Sequence, residues 1–183
     1  MLRRNLISRA LFVLTGFVLL STPSLPSAHA ALSQAPPGTP RLLLISRIGV
    51  RAPVEAVALS QPTDFHVPHK WGDVAWYDRG PKPGDQGRAN IYGHLDSTCC
   101  PAVFYHLKDL KPGDTAQVVY GNGQVLTFKV VWQNVYPNAH LPMKFMFATT
   151  KERGLILITC TGVFHRDGTG YDHKRLVYAR LVS

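Results

Sequence analysis

Short apolar runs separated by turn signals constrain the fold of this chain more than any other feature of its sequence. Residues 115–120 and 125–135 flank Gly-Asn-Gly-Gln, a strong β-hairpin signal. Residues 74–77 run into a turn cluster rich in Gly and Pro at 80–85. Many short strands at this spacing, with little helix, predict an all-β fold, either a closed barrel or a sandwich.

The remaining elements follow from the same reading of the sequence. Further strands are predicted at residues 41–50, 89–94, 155–160 and 175–182. One or two helical turns are predicted within residues 102–110, where apolar positions recur at helical spacing before a Pro-Gly stop. A long connection follows at residues 136–154 and is rich in Pro, Met and Phe.

The N-terminal segment predicts export of the chain. Arg3 and Arg4 precede an apolar run at residues 10–20, and Ala28-His29-Ala30 has the pattern of a signal-peptidase site. We therefore expect a signal peptide at residues 1–30, a Pro-rich linker at 31–40 and one domain at 41–183. An uncleaved N-terminal anchor, which would contact the membrane, is the competing interpretation.

The charge balance is basic, with 20 Lys and Arg against 11 Asp and Glu and a formal net charge of +9. Such an excess suits an anionic cell envelope through simple electrostatic attraction. No run of Lys and Arg and no nucleic-acid-binding motif accompanies it, so nucleic acid is not an expected partner.

Three cysteines, Cys99, Cys100 and Cys160, are an odd number for an exported protein. At least one thiol is therefore expected to stay free. Cys99 and Cys100 are interpreted as loop thiols; a disulfide between the two, or between one of them and Cys160, is the alternative. A zinc site is disfavoured because adjacent cysteines lack the usual ligand spacing.

Cys160 is the candidate nucleophile. It ends the strand Leu-Ile-Leu-Ile-Thr-Cys, which is apolar on both faces and is therefore predicted to be central and buried. A polar, Gly-rich segment follows it and leaves room for a substrate. A buried thiol is inert unless cations stabilise the thiolate, so a reactive Cys160 predicts positive groups nearby. An inert core thiol is the alternative.

Two other residues are candidates to act with Cys160. Arg175 alternates with Val177 and Ala179, which read as core-facing, so its guanidinium is predicted to point inward at the end of the strand. His94 follows a predicted strand and Gly93, and His with Cys is a recurring pair of nucleophile and acid–base group.

Four segments in this order resemble a sortase, with the form closest to class F. They are VAWYDRGPKPGDQGRANIYGHLDS, CCPAVFYHLKDLKPGD, LILITC and KRLVYARL. The resemblance covers residues 41–183. It departs from many class F members after the cysteine, where a Tyr-Arg-Asp pattern is replaced by Tyr-Asp-His-Lys-Arg at 171–175.

The resemblance implies an eight-stranded β-barrel that cleaves an LPXTG-like sorting signal and needs no metal or organic cofactor. Cys160 would attack the peptide carbonyl and form a thioacyl enzyme, and His94 would protonate the leaving amine and later deprotonate the incoming one. Arg175 would hold the substrate and stabilise the oxyanion, with Arg166 as the alternative. The connection at 136–154 would line the groove that selects the signal.

The expected partners are the sorting-signal peptide of a surface protein and an amine acceptor in the cell wall or a pilin, outside the cytoplasm at the envelope. Two other functions remain open from the sequence. One is a secreted β-barrel binding module with an inert Cys160. The other is a cysteine endopeptidase that uses water as the acceptor.

Overall fold

The computed structural model describes residues 38–58 and 68–183. The predicted signal peptide at 1–30 and the predicted linker up to residue 37 lie outside the described residues. The first strand begins at Pro40, next to the start predicted for the domain.

Within the described ranges, eight strands close into a single barrel, which confirms the all-β prediction and selects the barrel over the sandwich. Neighbours around the barrel follow the order β1-β2-β3-β4-β7-β8-β6-β5. The strands are β1 (Pro40–Ile45), β2 (Val50–Val57), β3 (Val74–Tyr77), β4 (Gly87–Gly93), β5 (Thr115–Tyr120), β6 (Val125–Pro137), β7 (Arg153–His165) and β8 (Gly170–Leu181).

The helices of the described residues are all short. Three are 3₁₀ turns, at Ser46–Ile48, Tyr105–Asp109 and Asn138–His140, and one is α-helical, α1 (Met143–Met146). The turn at Tyr105–Asp109 matches the helical turn predicted within 102–110. Across residues 38–58 and 68–183, none of these helices has the length and apolar character needed to cross a membrane.

The single strand predicted at residues 41–50 is wrong, because this segment contains a turn. β1 ends at Ile45 and β2 begins at Val50, and the two residues pair directly in an antiparallel hairpin. Gly49 closes the intervening turn with φ of 67°. This left-handed conformation strains residues with a side chain but not glycine.

Residues 154–159 of β7 are buried on both faces, as their apolar run predicts. Leu155 and Leu157 belong to the cluster that fills the barrel interior. Ile156 and Ile158 belong to a second cluster on the outer face. Because side chains alternate along a strand, the next positions divide in the same way, with Thr159 inward and Cys160 outward.

The outer cluster is covered by the connection between β6 and β7. Leu141, Met143, Phe145 and Phe147 of this connection pack against it. Buried Arg88 of β4 fixes the connection, since its guanidinium donates to the Phe145 carbonyl at 3.0 Å and lies 4.0 Å from the centre of that ring. The connection is therefore held against the face of the barrel that carries Cys160.

Candidate active site

The register of two parallel strands brings Cys160 and His94 to the same edge of the barrel. β4 and β7 are parallel neighbours, and Tyr92 pairs with Ile158. His94 and Cys160 each lie two residues beyond that pair. Equivalent positions of paired parallel strands project from the same face, so this register brings His94 and Cys160 to the same side of the sheet.

Cys160 is a free cysteine and is half-buried. It pairs across the antiparallel β7–β8 ladder with Lys174. The Lys174 ammonium donates to the Cys160 sulfur, with Nζ 3.2 Å from Sγ. The cation that directly contacts the candidate nucleophile is therefore a lysine, and the sequence reasoning above missed it.

His94 is held by two contacts from the segment that precedes β3. Its Nε2 lies 2.8 Å from the carbonyl oxygen of Pro68. Because a carbonyl only accepts hydrogen bonds, this contact requires the proton on Nε2 and leaves Nδ1 to exchange protons with a reacting group. The ring of Trp71 packs on the imidazole, with 4.3 Å between ring centres.

His94, Cys160 and Lys174 line one pocket of about 600 Å³. Its other walls come from the loop after β4, from the turn that joins β7 to β8, and from the start of the β6–β7 connection. The lining residues beyond those three are Trp71, Leu95, Asp96, Ser97, Thr98, Asn138, Phe164, Thr169, Gly170 and Tyr171. A pocket of this size, with apolar walls and a few converging polar groups, has the character of a ligand-binding site.

A half-buried hydrogen bond joins two walls of the pocket. The Tyr171 hydroxyl donates to the carboxylate of Asp96. That bond, with burial second, raises the pKa of Tyr171 to about 12, so the phenol stays protonated at neutral pH. Asn138 donates to the backbone carbonyl of Tyr171 at 2.6 Å and joins the β6–β7 connection to the same point.

Arg175 is not brought to Cys160. It pairs with Thr159 across β7 and β8, one position from the Cys160–Lys174 pair and thus on the opposite face of the sheet. Its guanidinium donates to the side-chain oxygen of Gln133 at 2.6 Å. Burial lowers the pKa of Arg175, while Asp109 opposes that shift. The Arg175 side chain lies on the inward face, as predicted, and this face is opposite to the one that carries the Cys160 thiol.

Arg166 is also not part of the pocket lining. It is exposed in the turn between β7 and β8, and it is not among the residues that line the pocket with Cys160. The two arginines considered from the sequence therefore both lie outside this pocket.

Cys99 and Cys100 form a disulfide with each other. The interpretation of these residues as free loop thiols therefore does not hold. They lie in a tight turn in which Ser97 N–H donates to the Cys100 carbonyl at 2.8 Å. Ser97 and Thr98, which precede them, line the pocket, so the disulfide restrains a loop at its edge.

No group of three or more His, Cys, Asp and Glu side chains within residues 38–58 and 68–183 is placed to hold a metal ion.

A model of the sortase domain family matches residues 43–182. This match spans most of the chain, and the chain belongs to the sortase family. No curated protein shows significant similarity to it over its sequence.

Solved sortase structures share the barrel. Sortase A from Corynebacterium diphtheriae superposes with a TM-score of 0.60 at 18% identity, over 79% of this chain and 61% of that one. Sortase C1 from Streptococcus agalactiae gives 0.59 at 19% identity, over 78% and 66%. A Clostridium perfringens sortase D5 transpeptidase gives 0.58 at 15% identity, over 79% of each chain. The chain thus spans less than two thirds of the first of these proteins, and the likeness establishes the shared fold.

Proposed function

We propose that this protein is a cysteine transpeptidase that cleaves an LPXTG-like sorting signal and transfers the acyl fragment to an amine of the cell envelope. The observation that carries the proposal is the meeting of His94, just after β4, and Cys160, within β7, in one pocket. A free thiol beside an imidazole is the pair that thioacyl chemistry requires.

The reaction proceeds in two halves. In the first, the Cys160 proton passes to Nδ1 of His94, Sγ bonds to the peptide carbonyl carbon, and the carbonyl electron pair moves to oxygen. The tetrahedral intermediate collapses with cleavage of the C–N bond, and His94 gives its proton to the leaving amine. In the second, His94 takes a proton from the incoming amine and the new C–N bond forms. The C–S bond then breaks with its electron pair on Sγ, which regains the proton from His94.

The third role that the resemblance implies is a cation that holds the carbonyl oxygen. The resemblance names Arg175 for that role, with Arg166 as the alternative. Arg175 donates to Gln133 and lies on the face of β8 opposite to Cys160. This geometry does not support that assignment. The proposed reaction therefore depends on His94 and Cys160, and the cation is considered separately.

The substrate, acceptor and location belong to the same proposal. The sorting signal would come from a surface protein, and the acceptor would be an amine of the cell wall or of a pilin subunit. Export through residues 1–30 would place the enzyme at the envelope, where its basic charge suits anionic polymers. The GHLDS, PAVF and LKPGD segments support a place among class F sortases.

Product analysis tests the proposal. The full-length protein is incubated with a panel of LPXTG-like peptides, with and without an added amine such as triglycine, beside a Cys160→Ala control. We expect an amide product that forms only when the amine is present and the cysteine is intact. Cleavage to the free acid alone, unchanged by added amine, would indicate a cysteine endopeptidase. If no peptide is turned over, the result would favour the β-barrel binding module instead.

A further inference from the structure

A shift in strand register decides which cation reaches the candidate nucleophile. Near the turn, Phe164 of β7 pairs with Tyr171 of β8. Continued without interruption, that register would place Cys160 opposite Arg175. A bulge between Thr161 and Phe164 shifts the register by one residue, and Cys160 pairs with Lys174 instead. A shift of one residue exchanges the faces of a strand, so the bulge turns Lys174 toward the thiol.

We propose that Lys174 is the catalytic cation of this site, which stabilises first the Cys160 thiolate and then the oxyanion of the tetrahedral intermediate. The inference rests on the proposed transpeptidase function and deepens it. Lys174 is half-buried, lines the pocket with His94 and Cys160, and has its Nζ 3.2 Å from Sγ. At that distance the ammonium gives the sulfur a hydrogen-bond donor and an adjacent positive charge.

The same ammonium can serve both stages without losing a proton. Lysine has three N–H donors on a flexible stem, whereas arginine presents a rigid planar fork. When Sγ bonds to the carbonyl carbon, the negative charge moves from sulfur to the neighbouring oxygen, and the flexible stem allows the ammonium to follow it. Lys174 keeps all its protons throughout, and the proton that reaches the leaving amine comes from His94.

The other charged groups near the pocket do not compete for this role. Asp96 lines the pocket, but its carboxylate accepts the hydroxyl of Tyr171. Asp172, the residue two positions before Lys174, accepts from the imidazole of His173 and from the backbone of Val163. The charged group that contacts Sγ is the Lys174 ammonium, so the charge next to the sulfur is positive.

Alkylation of Cys160 tests whether Lys174 stabilises the thiolate, and this experiment needs no peptide substrate. Iodoacetamide reacts with the thiolate, so its rate at neutral pH follows the thiolate population. We expect Lys174→Gln to slow alkylation of Cys160 about tenfold, and Lys174→Arg, which retains the charge, to slow it much less. Lys129→Gln, a matched change at an exposed strand lysine, should leave the rate unchanged.

Single-turnover acylation by an LPXTG-like peptide tests whether Lys174 stabilises the oxyanion. Loss of one donor to an oxyanion costs about a hundredfold or more in rate, so Lys174→Gln should acylate at least that much more slowly than the wild type. Far-UV circular dichroism and thermal unfolding of each variant check that the barrel is intact, and Lys174→Met provides a second neutral replacement of similar length.

Two results would overturn the assignment. One is wild-type alkylation and acylation rates in folded Lys174→Gln and Lys174→Met. The other is an alkylation rate that falls in Arg175→Gln but not in either Lys174 variant. Failure of the proposed function gives a different pattern, because the wild type would then turn over no peptide while the alkylation rates still report on the Lys174–Cys160 contact.

Discussion

The ring of Phe104 fills the space that a side chain at Gly93 would occupy. A Cβ built on Gly93 would lie 2.5 Å from Cδ2 and 2.8 Å from Cε2 of that ring. Phe104 is fully buried in the barrel interior, and its backbone N–H donates to the carbonyl of His94 at 2.9 Å. The glycine that precedes His94 is therefore needed for the packing that fixes the end of β4.

Gly93→Ala should destabilise the protein by about 1–3 kcal/mol, because a buried aromatic ring must move to admit the methyl group. Chemical unfolding in urea measures the change. Gly72→Ala is the matched control, since a Cβ there meets no atom within 4 Å and the residue has no positive φ. Equal stabilities for the two variants would contradict the packing described here.

Arg88 should anchor the β6–β7 connection to the barrel. Its side chain is 9% exposed and donates to Glu152 at 2.8 Å as well as to Phe145. We expect Arg88→Met to lower the free energy of unfolding by about 2 kcal/mol, since the change removes a buried network. The control is Arg180→Met, which breaks an ion pair to the same Glu152 from a side chain that is 57% exposed.

Arg180→Met should cost less than about 1 kcal/mol, as exposed ion pairs do. Limited proteolysis within residues 138–152 gives a second measurement, and cleavage there should accelerate in Arg88→Met only. A loss of stability from Arg180→Met as large as that from Arg88→Met would contradict the anchoring role.

Glu152 should add stability that disappears in acid. The hydroxyl of Tyr178, followed by the charges of Arg180 and Arg88, holds the pKa of Glu152 below its ordinary value. A carboxyl with a lowered pKa in the folded state stabilises the fold above its unfolded pKa, and this contribution is lost as the pH falls through the folded pKa. The contribution is therefore full at neutral pH and declines below about pH 4.5.

Urea unfolding of the wild type and of Glu152→Gln from pH 3 to pH 7 measures this dependence. The difference in free energy of unfolding between the two proteins should be constant near neutral pH and should shrink toward pH 3. It should stay under about 1 kcal/mol because the Glu152 side chain is 37% exposed. A difference that keeps its size across the whole range would show that the charge of Glu152 plays no part.

Trp71 should act as a positioning residue for His94. The two rings lie 4.3 Å apart, and such aromatic contacts stabilise by about 0.5–1.5 kcal/mol. Trp71→Ala should therefore lower kcat for peptide transfer by about threefold to tenfold. Trp71→Phe, which retains a ring, should recover most of the loss. An increase in KM with unchanged kcat would instead indicate that Trp71 only contacts substrate.

The sequence predicts the pair at the reacting centre better than it predicts the cation. His94 and Cys160 each end a predicted apolar strand, and those strands turn out to be parallel neighbours. Both apolar runs are marked by composition, so both residues could be found, although β7 continues past Cys160 to His165. Whether Lys174 or Arg175 faces Cys160 depends on a bulge of one residue, and no pattern in the polar hairpin sequence indicates it.

The other differences between the sequence predictions and the structure come from one local turn and from contacts between distant segments. The apolar run at 41–50 conceals a hairpin because its turn is marked only by Gly49. The contacts that orient His94 come from Pro68 and Trp71, more than twenty residues earlier in the chain. Hydrophobic periodicity reports which face of an element is buried, but contacts between distant loops leave no such signal.

Mass spectrometry of the intact protein, mixed briefly with an LPXTG-like peptide and then digested, tests the account most directly. We predict an added mass equal to the acyl fragment on the peptide that contains Cys160, removed when an amine is supplied and absent from Cys160→Ala. Peptide cleavage with the acyl group on another residue, or with no covalent intermediate at Cys160, would contradict it.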